Sequence, residues 1–147
     1  MVNSKDKGRV YEYKIRDLLK KELKIDFERT PHSGSLKFAK GDLWVPTDTA
    51  SWKYAIEIKH YGELEFKNLL VSKSNDIHSF WEQTIKQAEA MKKFPLLIFK
   101  WDRSANYVGW NDNIQVDKFM HVKAFNSNFK IGLLDEWLVA YKKTNLL

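Results

Sequence analysis

Apolar residues recur at helical spacing in three segments of the chain. Between residues 9 and 24, apolar side chains return about every third or fourth position, which is typical of an amphipathic helix. A second stripe of this kind runs from Asp76, a residue type that often caps helices, to about residue 93. A third covers residues 133–143. The pattern predicts three helices, each with one apolar face.

Short apolar runs between these helices predict β-strands, because they alternate with polar residues or are bounded by turn-forming residues. The predicted strands are residues 25–29, 41–45, 52–60, 95–99, 106–110 and 118–122, with a loop at 30–40 and a turn at 46–51. Residues 61–75 show no clear periodicity. This order predicts an α/β fold, a three-layer-like sandwich with a central mixed β-sheet flanked by helices.

The chain length adds an expectation about domains. At 147 residues, the chain is long enough to bury one sizeable core and is expected to form a single domain. Its core would lie at about residues 5–103, with appended strands and a C-terminal helix at residues 104–147.

One predicted strand combines alternation with charge. Residues 53–59 read Lys-Tyr-Ala-Ile-Glu-Ile-Lys, so the tyrosine and both isoleucines point to one face of the strand. Glu57 and Lys59 then lie side by side on the opposite face. An acid and a lysine on one strand face are two of the groups that metal-dependent phosphodiester cleavage requires, since carboxylates hold the ion and a lysine neutralises charge on the phosphate.

Two further acids could join this pair. Asp42 follows Gly41, which lets the backbone approach a hairpin partner closely, although the sequence does not fix the register that would bring Asp42 to Glu57. Glu12 precedes the apolar Ile15 by three positions, so it flanks the buried stripe of the first helix and could point toward the same place.

Each of these residues also has an ordinary structural interpretation. Glu57 and Lys59 could form an ion pair on a solvated sheet face, which contributes little stability. Asp42 could simply begin its strand as a turn residue. Glu12 could pair with Arg16 one helical turn later. The residues alone leave these alternatives open.

Charge and composition favour a nucleic-acid partner inside a cell. The formal net charge is +6 and the pI about 9.4, which suits a polyanion. The chain has no cysteine, which excludes disulfides, thiolate metal sites and thiol nucleophiles. Its N-terminus lacks an apolar signal region, and its longest apolar run is far shorter than the ~20 residues that a membrane helix needs. We expect a soluble cytoplasmic protein with no membrane partner.

The combined motif resembles a known superfamily. Glu12 in the first predicted helix, Asp42, and Glu57-Ile-Lys59 followed by a glutamine-bearing helix resemble the PD-(D/E)xK nucleases. Within that superfamily, residues 7–12 (Lys-Gly-Arg-Val-Tyr-Glu) and the Ser/Gly loop after them are most similar to Holliday junction resolvases of the archaeal and phage type. Residues 81–103 are similar to small phage-encoded members. The resemblance covers about residues 5–103, and it departs from the usual motif at Gly41, where proline normally precedes the aspartate.

The resemblance implies a restriction-endonuclease-like core and a specific site. Glu12, Asp42, Glu57 and the carbonyl oxygen of Ile58 would bind Mg²⁺, with Mn²⁺ able to replace it. Lys59 would be the catalytic lysine, acting with the three acids. The resemblance also implies a two-fold homodimer, because symmetric nicking of a four-way junction needs two sites across a dyad.

The sequence therefore predicts a Mg²⁺-dependent DNA endonuclease, a Holliday junction resolvase that acts on branched or duplex DNA in recombination and repair. One alternative is another nuclease on this fold, of restriction, repair or single-strand type, and others are a non-catalytic DNA-binding module or a purely structural factor. Contacts to the DNA backbone are expected from a set of mostly basic and amide side chains: Lys5, Lys7, Arg9, Arg29, Ser33, Ser35, Lys37, Lys40, Gln83, Lys86 and Gln87.

Overall fold

The computed structural model describes residues 4–31, 41–47, 51–64 and 66–145, apart from the side chains of Ser4 and Lys5. These residues form three helices and seven strands. The helices are α1 (Ser4–Leu23), α2 (Asp76–Met91) and α3 (Leu134–Thr144). The strands are β1 (Glu28–Arg29), β2 (Leu43–Trp44), β3 (Tyr54–Tyr61), β4 (Phe94–Trp101), β5 (Tyr107–Trp110), β6 (Met120–Ala124) and β7 (Ser127–Leu133).

The strands form one mixed sheet in the order β1-β2-β3-β4-β5-β7-β6. Strands β3 and β4 are parallel, and every other neighbouring pair is antiparallel. Helices α1 and α3 pack against one face of the sheet, and α2 packs against the other. The predicted α/β architecture of three layers around a mixed sheet is thus confirmed.

Strand β3 lies in the interior of the sheet and separates apolar from charged side chains as its alternation predicts. Tyr54, Ile56 and Ile58 belong to the core beneath α1 and α3. Glu57 and Lys59 face α2, where the Lys59 ammonium lies 5.6 Å from the centre of the Phe80 ring. Because helices cover both faces, Glu57 is enclosed by protein and does not lie on an open sheet surface.

Two features differ from the sequence prediction. The helix cap is Asn75, whose side-chain oxygen accepts a hydrogen bond from the backbone N–H of Ile77 at 2.8 Å, so Asp76 lies inside α2. Strand β7 was not predicted, although Phe129 and Ile131 alternate along it and are both buried. The pairing of β7 with β5 and β6 extends the sheet well beyond the predicted core.

Among the helices that the structure describes, none combines the length and the apolar character needed to cross a bilayer. Their apolar residues instead form the protein core, in which Trp110 and Trp137 are fully buried.

Candidate active site

Asp42 is bound to β3 through both its backbone and its side chain. Its N–H donates to the carbonyl oxygen of Ile56 at 2.7 Å, and its Oδ2 accepts from the N–H of Ile58 at 2.7 Å. Leu43 pairs with Ile56 in the antiparallel ladder, which fixes the register that the sequence left open. The carboxylate therefore lies beside the strand position that carries Glu57.

Gly41 is required for this approach. Its φ of +83° lies in a region that residues with a side chain rarely adopt. A Cβ added here would lie 2.5 Å from the Ile56 carbonyl oxygen, which is closer than van der Waals contact allows. Proline, the usual residue before the aspartate in the superfamily, has φ fixed near −65° and cannot adopt this conformation. The departure from the motif thus has a steric reason.

The buried carboxyl group of Glu57 lies beside the half-buried carboxyl group of Asp42. Glu57 is only 3% exposed, so the interpretation of a solvated ion pair on the sheet is wrong for this residue. Burial, and then the charge of Asp42, raises the pKa of Glu57 to about 8, while Lys59 acts in the opposite direction. Burial also raises the pKa of Asp42, against the lowering effects of the Ile58 N–H and Lys59. The negative charge of Asp42 therefore disfavours a second negative charge on Glu57.

Helix α2 supplies a side chain that orients Glu57. The Gln83 amide Nε2 donates to Glu57 Oε2 at 3.3 Å. Gln83 was expected to contact the DNA backbone or a metal-bound water, and in the structure its described partner is Glu57. The helix that covers the charged face of β3 thus also holds its buried acid.

Glu12 is engaged by an arginine at the edge of the site. Arg29 Nε donates to Glu12 Oε1 at 3.4 Å, and its Nη1 donates to the Tyr13 hydroxyl at 3.1 Å. Arg16, the alternative partner for Glu12, forms ion pairs with two other carboxylates. Glu12 is near enough to contribute to the raised pKa of Glu57. The sequence assigned Arg29 to DNA and gave no signal of its contact with Glu12, because the two residues are far apart in the chain.

The other residues expected to contact DNA are distributed over the surface or lie outside the described residues. The described cations among them form ion pairs: Lys7 with Asp102 at 2.9 Å, Arg9 with Asp6 at 3.0 Å and Lys86 with Glu82 at 3.6 Å. Gln87 lies on α2 one turn after Gln83. Ser33, Ser35, Lys37, Lys40 and the side chain of Lys5 lie outside the described residues. Their roles stay predictions.

The chemistry of this site fits a hard divalent cation. Two adjacent carboxyl groups with raised pKa values are stabilised as anions by a positive ion, and oxygen ligands are those that Mg²⁺ prefers. Within the described ranges, no three His, Asp or Glu side chains lie close enough together to enclose a metal ion. Asp42 and Glu57 would supply two of the expected ligands, and Glu12, held by Arg29, would supply the third.

Comparisons with known proteins identify the family of this chain. A family model described as "Phage putative PDDEXK endonuclease" matches residues 3–143. Protein D14 of Escherichia phage T5 is 30% identical over 148 residues, which span 93% of this chain and 92% of that protein. A solved structure of Hjc, a Holliday junction resolvase from the archaeal hyperthermophile Archaeoglobus fulgidus, is 18% identical, with a TM-score of 0.47 and coverage of 90% of this chain and 93% of that one. The family match spans nearly the whole chain, so the superfamily recognised from Asp42 and Glu57-Ile-Lys59 is confirmed: the chain belongs to the phage PDDEXK endonuclease family.

Proposed function

We propose that this protein is a Mg²⁺-dependent DNA endonuclease that cleaves branched DNA, in the manner of a Holliday junction resolvase. The observation that carries the proposal is the pair of the half-buried Asp42 and the buried Glu57, with Lys59 on the same face of β3 as Glu57. A structural ion pair would join an acid to a base, whereas here two acids are kept together at an electrostatic cost that a cation relieves.

Different residues of the chain would have different roles in cleavage. Asp42, Glu57, Glu12 and the Ile58 carbonyl oxygen would hold the ion. A bound divalent ion supplies positive charge beside the scissile phosphate and lowers the pKa of water. Lys59 would place its ammonium N–H donors against the charge that develops on the phosphate oxygens. The arrangement therefore combines ligands and a phosphate-stabilising cation around one site.

Junction selectivity, dimerisation and location belong to the same proposal. The resemblance of residues 7–12 to resolvase openings supports a four-way junction as the substrate, and the net charge of +6 supports binding to its phosphates. We infer that one domain carries the site, since β5, β6 and β7 continue the sheet that holds β3. Two copies related by a dyad would cut two of the four strands of a junction symmetrically, inside the cytoplasm.

Cleavage assays on several DNA forms test this proposal. The protein is mixed with a four-way junction, a duplex, a flap and a single strand, each with Mg²⁺ or with EDTA. Paired symmetric nicks in the junction, dependent on Mg²⁺ and faster than cleavage of the other forms, are expected. Faster cleavage of another DNA form would show that the protein is a nuclease of a different type and not a junction resolvase. No Mg²⁺-dependent cleavage of any form would overturn the proposed activity.

Replacing Gln83 with leucine should slow cleavage with little effect on folding. The change removes the donor to Glu57, and loss of a side chain that orients a metal ligand typically costs roughly 10-fold to 100-fold in activity. The free energy of unfolding should fall by no more than about 1 kcal/mol, which is the usual net contribution of one hydrogen bond. Single-turnover rates at saturating junction DNA, with separate binding titrations, measure the effect.

A control for Gln83 is Gln115→Leu, which removes a glutamine from an exposed loop. The control should leave both the rate and the affinity unchanged. An unchanged rate in Gln83→Leu, or a loss confined to DNA affinity, would show that Gln83 does not act through Glu57.

Replacing Arg29 with methionine should tighten metal binding while it slows cleavage. The guanidinium competes with a divalent ion for Glu12, so its replacement removes one competing positive charge and should raise Mn²⁺ affinity several-fold. Titration of free Mn²⁺ by electron paramagnetic resonance measures the affinity. Arg16→Met is the matched control. The guanidinium groups of Arg16 and Arg29 both lie over the Tyr13 ring, 4.9 Å and 4.8 Å from its centre, respectively. Arg16, however, forms ion pairs with acids other than Glu12. Equal Mn²⁺ affinity in both variants would contradict this role.

A further inference from the structure

A cleft of about 390 Å³ lies between α1 and the sheet, on the side of α1 away from Arg29. Its apolar wall consists of Val10, Tyr11, Ile15 and Leu18. Tyr11 and Ile15 are themselves buried. The accessible apolar surface of the wall comes from Val10, which is 47% exposed, and from the partly buried Leu18. An open apolar wall on an otherwise well-packed helix indicates a surface that can receive a ligand.

Lysines from two elements converge on the same cleft. Lys7 and Lys14 reach it from α1, and Lys100 reaches it from the end of β4. Lys7 pairs with Asp102, so one of the three charges is already balanced. Among the described residues, Lys14 forms no ion pair, and the Lys100 ammonium lies 6.0 Å from the Tyr11 ring centre. The cleft thus carries excess positive charge beside an apolar wall, and like charges brought together in this way favour an anionic partner.

We propose that this cleft is a second DNA-contact site, in which Lys14 and Lys100 bind the phosphates of one substrate strand and the apolar wall packs against deoxyribose. This inference rests on the proposed function, since it extends the DNA path away from the catalytic edge. A sugar–phosphate backbone has the alternation of charged and apolar groups that the cleft presents. Lysine contacts of this kind position a duplex without reading its sequence.

The position of α1 gives this contact a definite place on the DNA. Tyr11 lines the cleft, whereas the next residue, Glu12, faces Arg29 at the catalytic edge, so the helix itself separates the two sites. An α-helix with its side chains is roughly 10 Å across. Each nucleotide advances a DNA strand by about 3.4 Å along its axis. The cleft should therefore hold the backbone within a few nucleotides of the scissile phosphate.

Binding titrations in a cleavage-deficient background test the site. Lys59→Ala protein in EDTA buffer, with and without Lys14→Gln and Lys100→Gln, is titrated against a labelled four-way junction at several salt concentrations. Loss of two phosphate contacts should lower the slope of log affinity against log salt by about two. Binding at low salt should weaken on the order of tenfold to a hundredfold. Lys118→Gln with Lys123→Gln, at the β6 edge of the sheet, is the control for net charge and should show a clearly smaller change.

A second arm locates the contact on the DNA. A neutral methylphosphonate within a few nucleotides of the mapped cut site should weaken binding to the parent protein but not to the Lys14/Lys100 variant. Such non-additivity is expected only when the same groups touch. Thermal unfolding confirms that the variants fold.

Three outcomes would overturn the inference. These are an unchanged salt slope in the Lys14/Lys100 variant, an equal loss in the control pair, or a change in self-association without a change in DNA affinity. The last outcome would make the cleft an interface between copies of the chain. Absence of any Mg²⁺-dependent cut by the wild-type protein would instead refute the proposed activity, and the salt slopes would remain interpretable.

Discussion

Replacing Lys59 with alanine should abolish DNA cleavage while leaving DNA affinity nearly unchanged. Lys59 shares a face of β3 with the buried Glu57, two residues earlier, and its positive charge lowers the pKa of both Glu57 and Asp42. Removal of one such donor to developing negative charge typically costs about 10²-fold to 10³-fold in rate. Many other cations contribute to affinity, so binding should change little.

The measurement is the single-turnover cleavage rate at saturating DNA, together with affinity measured in EDTA. Lys53→Ala provides a matched control. Lys53 lies just before β3, at a position that alternates to the same face as Glu57 and Lys59, but it is exposed and lies four residues before Glu57. The control should cut at the wild-type rate. Equal loss of binding and cutting in Lys59→Ala would identify a structural lysine, and retained cutting would remove Lys59 from the mechanism.

Replacing Gly41 with alanine should damage both stability and cleavage. A non-glycine residue at φ +83° is strained, and its Cβ would lie 2.5 Å from the Ile56 carbonyl oxygen. Strain of this kind costs about 1–3 kcal/mol. The clash can be relieved only if β2 moves away from β3, and this movement would displace Asp42 as well. A displacement of about 1 Å in a catalytic site lowers the rate on the order of 10²-fold.

Gly62→Ala is the control for this substitution. Gly62 follows β3, and among the described residues a Cβ there would meet only the Asp102 carboxylate at 3.8 Å, an ordinary contact. Chemical denaturation and cleavage rates of both variants measure the effects. If Gly41→Ala were as stable and as active as Gly62→Ala, the close approach of β2 to β3 would not be what positions Asp42.

Local sequence patterns predicted much of this fold because they depend on near neighbours. The alternation in residues 53–59 correctly placed Ile56 and Ile58 in the core and Glu57 with Lys59 on the other face. The apolar stripe of the first helix likewise placed Ile15 in the core. Periodicity reports which face of an element is buried, and it does so without knowledge of the partner.

Such local patterns could not predict contacts between segments that are distant in the chain. The burial of Glu57 depends on α2, which folds over β3 from later in the chain, and the sequence alone left a solvated face open as an alternative. The pairing of Glu12 with Arg29 depends on how α1 meets β1. The register that brings Asp42 to Ile58 depends on the close approach at Gly41. Strand β7 had a usable signal in its alternation, but the polar residues between Phe129 and the preceding turn obscured it.

Crystals of the wild-type protein soaked in Mn²⁺ would test the central claim most directly, through the anomalous scattering of the ion. We expect a peak at roughly 2.0–2.2 Å from carboxylate oxygens of both Asp42 and Glu57, close to the Ile58 carbonyl oxygen, and no such peak in Asp42→Asn. The account would be contradicted if the wild-type protein cleaved DNA with Mn²⁺ but its crystals showed the ion elsewhere, or showed no peak at Asp42 and Glu57.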